Sequence, residues 1–238
     1  GRVVRSSLSM IRDVGVVIVA GGKGTRAGSD ELKQFRWIAG RPMLLHSLQT
    51  FQQREDVAMV VVVLPHEHVG DPPPWLFQCD TDRLLLSVGG RERSDSVRNG
   101  LEDLPDAAKI VVIHDAARPF VTPQMIADVI SEARQGHGAA PGLPVVDTLK
   151  RVDSEGDIAE TIDRAGIFRI QTPQAFPRDM IERAHVEAFQ NAVVATDDAA
   201  LCERLGMRVV MTPGSERAMK ITTEKDFTRA EAMSILTE

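Results

Sequence analysis

Val14-Gly15-Val16-Val17-Ile18-Val19-Ala20-Gly21-Gly22-Lys23-Gly24-Thr25-Arg26 is the stretch that decides the fold, and Lys33-Gln34-Phe35 follows it closely. The Val and Ile run has almost no polar interruption, which is the pattern of a strand buried on both faces of a parallel sheet. Glycines 21, 22 and 24 come immediately after it, allowing a tight turn that brings backbone N–H groups close to an anion. Arg26 and Lys33 stand where cationic side chains can grip the same anion. Together these features read as a cradle for a nucleoside triphosphate.

Two other phosphate loops fit less well. A P-loop needs Gly-Lys followed by Ser or Thr, and Gly24 follows Lys23 here. The dinucleotide fingerprint matches in its relaxed G-x-G-x-x-A form at Gly22, Gly24 and Ala27. It also wants an acidic residue roughly 20 positions on to hold a ribose. No Asp or Glu lies between Glu31 and Glu55, and Ser29-Asp30 interrupts the helix that should follow.

The whole chain of 238 residues, 43% hydrophobic and 26% charged, has the composition of an ordinary globular protein with an ample core. A net charge of −6 argues against broad nucleic-acid binding, and 4% aromatics with no Tyr argues against base-stacking platforms. Cys79 and Cys202 are too few for a disulfide scaffold or a zinc site, so inert thiols in a reducing, cytoplasmic setting are expected. No apolar run approaches the roughly 20 residues of a membrane span, and no signal-peptide pattern is present. Residues 1–13, polar and basic at their start, are expected to form a disordered extension, with residues 14–238 as a single domain.

Outward from the glycine loop, apolar residues at helical spacing over 41–51 predict a helix with Pro42 in its first turn. Strands are expected at 59–64, 83–88 and 109–114, and helices at 94–104 and 124–135, the latter capped by Thr122 and started by Pro123. Residues 66–82, with Pro72-Pro73-Pro74, read as a loop. Alternating strands and helices with short links predict an open, mostly parallel α/β sheet, with ligands beyond the carboxyl ends of its strands. Segments 145–152 and 158–162 flank Asp153-Ser154-Glu155-Gly156-Asp157 and predict a polar β-hairpin. Such a hairpin cannot join the core of a parallel sheet, so it should project, either onto a partner subunit or as a solvated flap. Further helices are expected over 177–190, from Thr196-Asp197-Asp198, and over 224–236, with a late strand at 209–211.

Several segments in this order resemble the 2-C-methyl-D-erythritol 4-phosphate cytidylyltransferase family. They are residues 20–26 with 33–35; 89–97, Gly-Gly-Arg-Glu-Arg-Ser-Asp-Ser-Val; and 114–119, His-Asp-Ala-Ala-Arg-Pro. Residues 144–150, Pro-Val-Val-Asp-Thr-Leu-Lys, and 171–176, Gln-Thr-Pro-Gln-Ala-Phe, continue the pattern, with Lys220-Ile221-Thr222 near the end. The chain departs from the family at Leu32, where members usually carry Pro, and at Ala218, where Asn is common. Ribitol-5-phosphate cytidylyltransferases share most of these motifs, and a non-catalytic nucleotide-binding paralogue is a further alternative.

The resemblance implies a Rossmann-like nucleotidyltransferase sheet with helices on both faces and a hairpin arm, 145–163, that pairs a homodimer. It implies transfer of a cytidylyl group from CTP to a sugar-alcohol phosphate, with Mg²⁺ held mainly by the CTP phosphates and Asp115 as the acidic neighbour for the ribose, the acceptor hydroxyls or a metal-bound water. Catalytic cations would be Arg26, Lys33 and Lys220. Contacts to CTP would come from Ala20, Gly21, Gly22, Gly24, Gly90, Ser96, Asp115 and Ala116. The acceptor would meet Arg164 and Thr172, supported by Arg118, Thr148 and Thr196. His114 is expected to be structural.

Overall fold

The computed structural model describes residues 11–20 and 32–236. In chain order its elements are β1 (Val14–Val19), β2 (Trp37–Ile38), β3 (Arg41–Pro42), α1 (Met43–Gln52), β4 (Val57–Leu64), α2 (His66–Gly70) and β5 (Leu84–Val88). Then come α3 (Arg93–Glu102), β6 (Ile110–Asp115), α4 (Pro123–Arg134), β7 (Gly138–Pro144), β8 (Leu149–Val152), β9 (Ile158–Ile162) and β10 (Phe168–Ile170). The chain closes with β11 (Gln174–Pro177), α5 (Arg178–Gln190), α6 (Asp198–Arg204), β12 (Val209–Pro213) and α7 (Glu224–Ser234).

The main sheet runs β5-β4-β1-β6-β11-β7-β10, with β12 pairing β7 as well. Strands β5, β4, β1 and β6 are mutually parallel, and β12 is parallel to β7. Strand β11 is antiparallel to both β6 and β7, and β10 is antiparallel to β7. Strand β1 is buried on both faces because its residues alternate between two cores. Val14, Val16 and Ile18 join Leu44, Leu48 and Phe51 of α1 and Ile126 and Val129 of α4. Val17 faces the other way, toward Val97 and Leu101 of α3, Ile181 of α5 and Leu201 of α6. The expected mostly parallel sheet, covered by helices on both faces, is the one observed.

Local differences have physical causes. Helix α1 begins at Met43 because Pro42 lies one residue earlier, paired with Trp37 in a short antiparallel ribbon. The loop expected over 66–82 holds α2, which ends at Gly70 before the three prolines. Strand β7 was not expected: its Gly-Ala-Ala-Pro-Gly-Leu-Pro sequence has poor strand propensity. Packing overrides propensity, since a Cβ on Gly138 would meet Phe176 Cδ1 at 2.8 Å. Pro141 lacks an N–H, yet its carbonyl accepts from Gln171 N at 2.9 Å. Part of the expected N-terminal extension is tied down, because the Asp13 carbonyl accepts from Lys109 N and Ile110 N and its carboxylate pairs with Arg134 at 2.6 Å. Residues 1–10 lie outside the described residues.

Strands β8 and β9 form a separate antiparallel ribbon, register Leu149↔Ile162 to Val152↔Ile158, outside the main sheet. Val152 and Ile158 are exposed on it, as are Val146 before it and Ile167, Phe168 and Ile170 after it. Among the described residues no helix is long and apolar enough to cross a membrane. Burial raises the pKa of both thiols, that of Cys202 to about 12, so each stays protonated and unreactive near neutral pH.

Candidate active site

Strands β1, β4, β5 and β6 end at one edge of the sheet, where open α/β sheets bind ligands. A cleft of about 580 Å³ lies along that edge, within the usual range for small-molecule sites. Val19 at the end of β1, Pro65 and His66 after β4, residues 89–93 after β5, and Asp115 and Ala117 around the end of β6 all face it. Leu32, Lys33, Gln34, Glu67, Ser96 and Lys220 complete the lining. Residues from both ends of the sequence therefore meet in one cavity.

Lys33 opens a 3₁₀ turn, Lys33–Phe35, that is anchored by Phe35. The Phe35 ring stacks edge-on against His68 at 5.0 Å and Trp75 at 5.3 Å. Lys220 is held from the other side of the cleft. Arg118 Nη1 donates to the Ala218 carbonyl at 2.8 Å, Ile221 N donates to the Ala117 carbonyl at 2.8 Å, and the Ile221 side chain is fully buried. Burial holds the Lys33 ammonium below the ordinary lysine range; the charge of Lys220 pushes it further down, with Asp226 opposing. A lysine whose charge is opposed by burial and by a second cation makes a site suited to an anion.

Asp115 ends β6 in a network of charges. Arg93, the first residue of α3, donates from Nη2 to Asp115 Oδ1 at 3.1 Å and from Nη1 to Asp198 Oδ2 at 3.0 Å. Burial works against the charge on Asp115, yet Arg93, then Lys220, His114 and Arg118, hold its carboxyl below the usual carboxylate range. Behind it, His114 is fully buried, and Thr172 Oγ1 lies 3.0 Å from its Nδ1. The Thr172 hydroxyl also accepts from Asp115 N at 3.1 Å, so the strand end is fixed through its own backbone.

After β5, Gly90 N donates to Ser96 Oγ at 3.1 Å, folding the loop back on the start of α3. A Cβ on Gly90 would stand 2.2 Å from Asp95 Cβ, so only glycine fits there. Glu92 N donates to Asp95 Oδ2 at 2.9 Å in a capping box that fixes the helix entry.

The family model for "IspD: 2-C-methyl-D-erythritol 4-phosphate cytidylyltransferase" matches residues 14–237. The chain belongs to this family. A relative of that name from Syntrophus aciditrophicus is 43% identical over 219 residues, covering 91% of this chain and 93% of its own length. One from Salinibacter ruber is 40% identical over 220 residues, covering 92% and 91%. A bifunctional enzyme IspD/IspF from Rhodospirillum rubrum is 44% identical, and this chain spans 56% of its length. Among solved structures, the 2-C-methyl-D-erythritol 4-phosphate cytidylyltransferase of Thermus thermophilus is similar with a TM-score of 0.79 and 33% identity, covering 94% of this chain and all of that one.

Measured against the residues that the family resemblance nominates, the cleft gathers Lys33, Lys220, Gly90, Ser96 and Asp115. Arg26, Gly21, Gly22 and Gly24 lie outside the described residues. Ala20 and Ala116 are buried in the core, and the cleft wall beside them is made by Val19 and Ala117. Arg118 stands behind Asp115, its Nε 3.9 Å from Asp115 Oδ2. Thr172 is buried with its hydroxyl committed to His114 and Asp115. Thr148 and Thr196 are exposed. Arg164 is outside the cleft, in a second, shallow pocket with Val145, Val146, Asp163 and Ala165, where its Nη1 donates to the Val146 carbonyl.

Neither departure from the family disturbs the backbone. Leu32 has φ −63°, the angle a proline would fix, and its side chain is buried. Ala218 is fully buried, and the segment around it is strapped down by the bonds from Arg118 and Ile221. Sequence reasoning missed Arg93, whose partners Asp115 and Asp198 lie 22 and 105 residues away. It also missed His66 at the rim of the cleft, within what reads as a proline-rich loop.

Proposed function

We propose that the chain transfers the cytidylyl group of CTP to 2-C-methyl-D-erythritol 4-phosphate, releasing pyrophosphate and forming 4-diphosphocytidyl-2-C-methyl-D-erythritol. The observation that carries this reading is the meeting of Lys33 and Lys220 across one cleft, beside Asp115, in a member of that family. An acceptor phosphate monoester has a second pKa near 6 and attacks as a dianion, so no general base is needed. One bond forms, from an acceptor phosphate oxygen to the α-phosphorus, and one breaks, from that phosphorus to the oxygen bridging to the β-phosphate. The protein's task is to bring two polyanions together and to stabilise charge on a five-coordinate phosphorus. Lys33, Lys220 and Arg26 take that role. His114 is unsuited to acid–base work, since burial pushes its pKa down to about 4.

Gly90 and Ser96 serve the cytosine, and the glycine loop at 21–24 the triphosphate. Magnesium fits the donor set present. Among the described residues no group of three or more His, Cys, Asp or Glu could hold a metal alone. Mg²⁺ favours phosphate oxygens plus one or two carboxylates, so the CTP phosphates together with Asp115 would hold it. When bound, the ion neutralises charge on the triphosphate. Arg164, Thr148 and Thr196 serve the acceptor, while Arg118 and Thr172, which sequence reasoning also gave to the acceptor, instead fix Asp115 and His114 behind the cleft.

The reading extends to a homodimer joined through 145–163. The exposed Val146, Val152, Ile158 and Phe168 around the arm support it, since apolar surface of this kind favours a partner. So does the position of Arg164 immediately after that arm, away from the cleft of its own chain, where it could complete a neighbour's site. The unpaired thiols Cys79 and Cys202 accord with a cytoplasmic enzyme.

Pyrophosphate release by the purified protein, with CTP, Mg²⁺ and each acceptor at equal concentration, tests the reaction. Turnover with 2-C-methyl-D-erythritol 4-phosphate is expected; preference for ribitol 5-phosphate, or no release at all, overturns it.

A further inference from the structure

Asp115 stands between competing cations. Its ion pairs among the described residues are with Arg93 and Arg118, while the charge of Lys220 acts on the same carboxyl through space. Asp115 and Lys220 line the same cleft, so the carboxylate is an acidic partner open to the ammonium unless another group holds it back. Pairing would neutralise the ammonium that the triphosphate needs.

Arg93 is built to do the holding. Its Nε and Nη2 lie 3.3 and 3.1 Å from Asp115 Oδ1, and its Nη1 is bound 3.0 Å away to Asp198 Oδ2. Asp198 is the first residue of α6, fully buried, with its Oδ1 3.0 Å from His185 Nε2. The guanidinium is a rigid planar fork at the cleft wall, so it cannot let go of Asp115 and swing away without also stripping the buried Asp198 carboxylate of its counter-charge. Among the described residues Arg93 and Arg118 pair with Asp115, Arg93 also pairs with Asp198, and Lys220 is in none of these pairs.

We propose that Arg93 is a positioning residue that holds the Asp115 carboxylate off Lys220, leaving the ammonium group available to the triphosphate. The inference rests on the reading of Lys220 as a phosphate-binding cation.

Steady-state kinetics of Arg93→Gln, Asp115→Asn and the double variant test it, read as a double-mutant cycle. Arg93→Gln alone is expected to lower kcat by at least about tenfold, because a strayed carboxylate quenches Lys220. In the Asp115→Asn background, itself slowed by loss of the carboxylate that faces Mg²⁺, the same change should cost no more than about threefold further, since the amide has no charge to misplace. Losses that multiply would mean Arg93 acts independently, on phosphate or through the fold, and would overturn the proposal. Arg93→Lys should recover part of the lost turnover. Its failure to do so, with thermal stability intact, counts against the proposal.

Arg93→Gln also leaves Asp198 as a buried unpaired charge, so Arg93→Gln/Asp198→Asn is the control for folding. It should regain melting temperature without regaining turnover. Turnover that returns together with stability makes the role merely structural. A crystal structure of Arg93→Gln should show the Asp115 carboxylate within about 4 Å of Lys220 Nζ; an unmoved carboxylate contradicts the proposal. If Lys220→Ala leaves turnover intact, the underlying reading of Lys220 fails. If Lys220→Ala is crippled but the cycle is additive, only the role given to Arg93 fails.

Discussion

Acidification loads His114 in a way that can be sized. The ring is fully buried, with Nε2 2.9 Å from the Arg118 carbonyl oxygen and Nδ1 3.0 Å from Thr172 Oγ1. A carbonyl only accepts, so Nε2 carries the proton and Nδ1 accepts from the Thr172 hydroxyl. A second proton, on Nδ1, would face that hydroxyl and sit in a dry interior near Arg118 and Arg93. Burial, the main cause, and those cations push the pKa down to about 4, from an ordinary 6.5.

Between those values the unfolded chain binds a proton that the folded protein refuses. Stability is therefore full above about pH 6.5 and falls as the pH drops toward 4. Down to about pH 4.5 the gap spans about 2 pH units, worth roughly 3 kcal/mol at ~1.4 kcal/mol per unit. That is a large share of the ~5–15 kcal/mol that holds a domain together. Burial lowers the pKa of His46 as well, in the same direction, so one pH curve does not isolate His114. The comparison that does is urea unfolding of wild type and His114→Gln at about pH 7 and pH 4.5. Wild type should lose roughly 3 kcal/mol more than the variant between the two. Equal losses would refute the account of a ring held neutral by burial.

Gly90→Ala should raise the KM for CTP at least about tenfold while melting within a few degrees of wild type, because the displaced loop holds no core residue; an unchanged KM would free Gly90 of a nucleotide role. Ile158→Asp or Val152→Asp on the exposed ribbon should shift the protein toward monomer in sedimentation, and a protein that is monomeric throughout would remove the dimer from the reading. Arg164→Ala should raise chiefly the KM for the acceptor; an effect confined to CTP would mean its role has been misread.

Those residues differ in how visible they are along the chain. Strands β1, β4 and β6 are legible because continuous Val and Ile runs bounded by Gly, Pro or Asp have few other uses in an α/β domain. Strand β7 is not, since its small residues suit the tight approach of Phe176 and Val209 rather than any local propensity. The same divide runs through the site. Lys33 and Asp115 can be singled out because each adjoins a strand end, or a loop after one, in a recognisable motif. Arg93 cannot, because its meaning comes from Asp198, which only the fold brings to it. Thr172 is visible as a motif residue, but its burial behind Asp115 is a property of the antiparallel return of β11.

The central claim is that cations, Lys33 and Lys220 with Arg26, carry the chemistry without a general base. Single-turnover rates of Lys33→Ala and Lys220→Ala, with saturating CTP and acceptor, test it most directly. Each rate should fall by about 10³-fold or more, with thermal stability retained. A rate within about tenfold of wild type for either variant would contradict the account.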